Sequence, residues 1–256
     1  MSSNSPNLDH LLNRTTLADL SAQEAVDLLG IAINAAWVAG RADVLRHVVE
    51  SLASTIDRTS ALPQVACILD YFLADAWNGI KSLSGTHPGG GWEWESRPIE
   101  QETICIRRAI ASEGLLQQPC IRVCQIHTNL ANCLSTTGRF VEAIAEWDRA
   151  VRIEPRFGMA RGNRAVGLWT YAKSVYDDGH ARVLAREAWT QLDPSKLEGL
   201  EPGAGTYFAR MREEIQQAVP ERVFATPFDL NGFEHGESEA EREYRDSCLS
   251  NTLFLN

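Results

Sequence analysis

Nowhere does this sequence run for the roughly 18 consecutive apolar residues that a membrane-crossing helix requires, although apolar residues make up 44% of it. A transmembrane helix is therefore excluded. Basic residues are also in deficit: 24 Lys and Arg face 34 Asp and Glu, for a formal charge of −10. That balance argues against a broad nucleic-acid-binding surface, because phosphate binding needs concentrated cations. The opening residues, MSSNSPNLDHLLNRTT, have neither the basic start nor the apolar stretch of a secretory signal; a cytosolic location is expected. Cysteine is sparse and unpatterned. Cys67, Cys105, Cys120, Cys124, Cys133 and Cys248 mostly interrupt apolar helical patterns and read as small buried hydrophobes, not as a disulfide framework. No Ser-His-Asp arrangement, paired acid motif or nucleotide fingerprint is evident. The glycine-rich stretch GTHPGGGWEWE (85–95) lacks the GK[ST] ending and the preceding strand with which a loop cradles phosphate. No cofactor and no metal are expected.

What the chain does have is a strong helical pattern. Residues 124–157 read CQIHTNLANCLSTTGRFVEAIAEWDRAVRIEPRF. Small Ala131, Ala143 and Ala150 allow two helices to approach closely, and Leu134, Phe140 and Trp147 fill the space between them. Leu130, Ile144 and Val151 complete the apolar set. Gly138 suits a left-handed helix end, and Pro155 cannot continue the second helix. In length and spacing the stretch resembles the tetratricopeptide repeat, whose period is about 34 residues. One such unit cannot bury both faces, so neighbours are required.

Weaker copies flank it. After Gly158, Ala165 and Leu168 match Ala131 and Leu134, and a second helix over 180–192 carries Ala181, Leu184, Ala188 and Trp189 before Pro194. Upstream, Leu73, Ala74 and Trp77 correspond to Leu130, Ala131 and Leu134, and a helix over 98–112 places Ile106, Ala109 and Ile110 like Trp147, Ala150 and Val151. A further pair covers 22–39 and 42–56, with Gly40 between. The expected fold is all-α: a right-handed α-solenoid of about four tetratricopeptide-like helix pairs over 21–218. It has an N-terminal segment at 1–20 and a Gly/Pro-rich insertion at 83–98. A helix over 204–218 is expected to cap the stack. The acidic, irregular tail at 219–256 ends on LFLN, so either it packs somewhere or a further domain begins there.

The resemblance implies a non-enzymatic scaffold or adaptor that holds a peptide or protein segment in its concave groove. By register, the groove-facing positions include Asp75 and Asn78, then Gln125, Thr128, Asn129, Asn132 and Ser135, then Arg161, Asn163 and Trp169. Asparagine suits an extended backbone because its amide both donates and accepts. Some relatives in that family clamp a terminal carboxylate with Lys and Asn. Asn132 and Asn163 match two of the Asn positions, but Thr128 stands where Lys is needed, and a carboxylate without cations loses its strongest hydrogen bonds. Trp92 and Trp94 in the insertion either contact a partner or cover the helix pair.

Two further patterns have plainer explanations. Cys120, Cys124 and His127 share one helix face, yet a structural zinc site draws ligand pairs from two elements; burial explains them better. Arg122 with His127, and Arg41 with His47, fit the R-x4–6-H pattern of the HEPN helical ribonucleases, which arises readily by chance. A rival reading makes the chain the sensor or regulatory N-terminal part of a bacterial HEPN-type ribonuclease effector. Self-association through unpaired solenoid ends is a third.

Overall fold

The computed structural model describes residue 17 and residues 19–58, 61–84, 96–116, 121–200 and 203–219. Nine α-helices and no strand occur among these described residues. The first, α1 (Ala22–Val38), starts at a reciprocal cap: the Ser21 hydroxyl accepts from the Glu24 backbone N–H while the Glu24 carboxylate accepts from that of Ser21. Then come α2 (Ala42–His47), which widens into a π turn (Val48–Leu52) and then tightens into a 3-10 turn (Ala53–Thr55), and α3 (Pro63–Ser84). The middle of the chain forms α4 (Ser96–Ser112) with a 3-10 turn (Glu113–Leu115), α5 (Ile121–Thr136) and α6 (Phe140–Ile153). The last three are α7 (Gly158–Ala172), α8 (Asp178–Gln191) and α9 (Ala204–Ala218). Gly40 and Gly138 adopt φ of +68° and +79° just past the ends of α1 and α5. Glycine reaches this left-handed region without steric cost.

Each helix packs on its neighbours in the chain, most extensively within the pairs α3–α4, α5–α6 and α7–α8. Alternate helices also meet: α1 touches α3, α5 touches α7, and α7 touches α9. One buried core runs from Leu17 to Trp147 across α1–α6, and a second from Ala165 to Val219 across α7–α9; Ile144 packs against both. Cys124, Ala150 and Ala160, all fully buried, let α5, α6 and α7 close on one another. The insertion is shorter than its sequence suggests, since helix continues to Ser84 and resumes at Ser96. The tail beyond Val219, residues 1–16 and the insertion's 85–95 lie outside the described residues.

Aromatic rings sit directly on glycines at several of the helix contacts. A Cβ at Gly30 would stand 2.4 Å from the Phe72 ring, one at Gly162 2.3 Å from Phe208, and one at Gly167 2.2 Å from Trp147. Trp147 is 2% exposed, so it has no room to retreat. Gly167→Ala should therefore destabilise the chain by about 1–3 kcal/mol through overpacking. In a helix interior free of contacts the same change stabilises by up to about 1 kcal/mol. The sign of the shift in urea midpoint decides between them.

Candidate functional site

A polar seam runs between α3, α4 and α5. On α3, Tyr71, Asp75 and Asn78 are spaced i, i+4, i+7 and so share one helix face; on α5, Arg122, Gln125, Asn129 and Asn132 do the same. The two stripes meet across the helices. The Asn129 amide donates to the Asp75 carboxylate at 2.9 Å, and the Tyr71 hydroxyl donates to it as well. Arg122 lies over the Tyr71 ring at 4.1 Å and the Phe72 ring at 5.3 Å, a cation–π arrangement. Burial pushes the Asp75 carboxyl up to about 7, and the nearby Glu102 charge pushes the same way; Tyr71, Arg122 and Asn129 only partly offset them. Burial, then the Asp75 charge, raises the Tyr71 phenol.

Behind this stripe, Lys81 of α3 donates to Glu102 of α4 at 2.6 Å. Glu102 is 1% exposed, and burial raises its carboxyl against the pull of Lys81. Asp70, also buried, accepts from Arg58 at 2.8 Å. Glu102 was legible in principle. It falls in step with Ile99, Ile106 and Ala109, on the stripe of α4 that faces the core, where an acid needs a partner.

The structure places the other expected site residues unevenly. Asn132 stays half-exposed and accepts the Trp147 indole N–H at 3.2 Å. Asn78 and Asn163 are half-buried. Arg161 donates to Gln191 at 2.7 Å and to the Pro155 carbonyl at 3.1 Å, tying α7 to α8. Thr128 is 4% exposed and its hydroxyl donates to the Cys124 carbonyl, so it presents nothing to a partner. Trp169 is covered by α9, its indole donating to Glu214 at 2.7 Å. Trp92 and Trp94 lie outside the described residues.

His127 is fully buried. Its Nδ1 donates to Glu146 of α6 at 2.6 Å, and its Nε2 stands 3.0 Å from Glu113 at the end of α4. The hydrogen bond from His127 holds the Glu146 carboxyl below its usual range. His127 and Arg122 thus serve separate contacts on opposite sides of α5. The Cys124 thiol donates to the Ala150 carbonyl and the Cys67 thiol to that of Ala109; burial pushes the Cys105 thiol up to about 11, far from thiolate chemistry. No helix among the described residues is long and apolar enough to cross a membrane. No family model, curated protein or solved structure matches the chain.

Proposed function

We propose that the helix pairs stack as a right-handed, tetratricopeptide-like solenoid, and that the polar stripes of its first helices hold an extended peptide or protein segment. The chain then acts as a scaffold or adaptor, without chemistry of its own. The observation that carries this reading is the pre-set polar stripe itself. Asp75 and Asn129 fix each other, Asn132 is fixed by Trp147, and Arg161 by Gln191. Side chains already held in one rotamer lose little entropy on binding. The stacking part of the proposal is supported by contacts of first helix with first helix, α1 on α3 and α5 on α7.

The test starts from peptides selected on the intact chain from a displayed random library. Asn132→Ala and Asn163→Ala should each weaken the enriched peptides by about tenfold, the scale of a hot-spot contact. Circular dichroism and the urea midpoint confirm that each variant is folded. Affinities unchanged in both variants would place binding elsewhere and sink the groove assignment.

A further inference from the structure

A cleft of about 440 Å³ opens at the N-terminal ends of α5 and α7, lined by Ile121, Gln125, Glu154, Arg156, Phe157, Met159 and the Glu198–Gly199 stretch. Its volume falls within the range of roughly 300–1,000 Å³ typical of ligand sites. The walls are built rather than incidental. The Gly158 N–H donates to the Glu198 carbonyl at 3.0 Å, and a Cβ at Gly158 would stand 2.3 Å from that oxygen, so the 194–200 loop is clamped backbone to backbone onto the start of α7. Asp193 holds the same loop by accepting from the Ser195 N–H. Glu154 is pinned by the Arg156 N–H at 3.0 Å. The lining includes Ile121, 45% exposed, and the half-buried Phe157 and Met159. Gln125 is one helical turn from Asn129 on the same face of α5, so the cleft continues the polar stripe.

We infer that this cleft is a specificity pocket for a large apolar side chain next to a basic residue in the bound segment. The inference rests on the peptide-holding reading above. Ile121, Phe157 and Met159 supply the apolar contact. Glu154 and Glu198 outweigh the single Arg156 cation, so the rim favours a positive charge and opposes a negative one.

The experiment uses the intact chain and four fluorescein-labelled 12-residue peptides on one Gly/Ser frame, with Phe-Arg, Phe-Glu, Ala-Arg or Ala-Glu at the centre. Fluorescence anisotropy should show Phe-Arg binding at least about tenfold tighter than either Phe-Glu or Ala-Arg. Ile121→Ala should shrink the Phe preference, and Glu198→Lys should invert the Arg-over-Glu preference; both side chains are exposed enough to be changed without loss of fold. Equal binding of all four peptides, still weakened by Asn132→Ala and Asn163→Ala, overturns the pocket and leaves the groove standing. A Phe-Arg preference untouched by the two Asn changes keeps the pocket and overturns the groove. Absence of measurable Phe-Arg binding, or an Arg preference that survives Glu198→Lys, overturns the pocket.

Discussion

Lys81→Met should cost the folded chain about 3–5 kcal/mol at pH 7, the scale expected when one partner of a buried ion pair is removed. The ammonium of Lys81, 26% exposed, is the hydrogen-bonding cation on a carboxylate whose side chain is 2% exposed. Without it, Glu102 must either hold an uncompensated charge in the core or take up a proton. Burial already raises its carboxyl, and losing Lys81 raises it further. A folded-state value above the unfolded one, about 4.3 for Glu, fixes the sign. The deficit is absent at pH where Glu102 is protonated in both folded proteins, grows as pH rises through the native folded value, and levels off above the higher folded value of the variant. Urea midpoints at pH 5, 7 and 8 should therefore show the variant recovering toward acid. The double change Lys81→Met, Glu102→Met should restore most of the loss, because an apolar pair of similar volume often equals a buried ion pair. A loss below about 1 kcal/mol at pH 7 would mean that Glu102 is held by other groups.

Asp75→Asn should have the opposite effect and stabilise the chain, on the order of 2–4 kcal/mol above neutral pH. The Asp75 carboxyl titrates at about 7 in the folded chain, against about 3.9 unfolded. Folding consequently disfavours its ionised form, and the penalty accumulates as pH rises between those values. An Asn at this position never ionises, yet its carbonyl can still accept from Asn129 and Tyr71. Its advantage over the native chain should be small at pH 4, grow through pH 5–7 and become constant above pH 8. Identical slopes of stability against pH in the two proteins would show that Asp75 is ionised at little cost. If the seam also holds a ligand, the same variant separates the roles, since lost peptide affinity beside increased stability marks a residue kept for binding at the expense of the fold.

The helices were legible in the sequence almost residue by residue. Apolar spacing at the helical period, Gly40 and Gly138 at left-handed ends, and Pro155 after α6 are local signals that depend only on near neighbours. Much less of the candidate site could be read. Asn129 and Thr128 are both expected at partner-facing positions, but adjacent residues point about 100° apart around a helix. Asn129 reaches Asp75 while Thr128 turns into the packing. Trp169 is likewise expected on the partner-facing side from its register, and it is closed off because α9 lays Glu214 across it.

What the sequence by itself determined is the class of fold and the set of helices, because amphipathic period and helix-end chemistry are written in contiguous residues. The tertiary structure alone decided which polar residues are spent on one another. Asn129 and Asp75 are 54 positions apart and His127 and Glu146 are 19. Such pairings depend on the angle and register at which the helices pack. Those are set by where bulky rings find glycines, Phe72 on Gly30, Trp147 on Gly167 and Phe208 on Gly162, and side-chain volume at a contact between distant segments leaves no periodic trace in either segment alone.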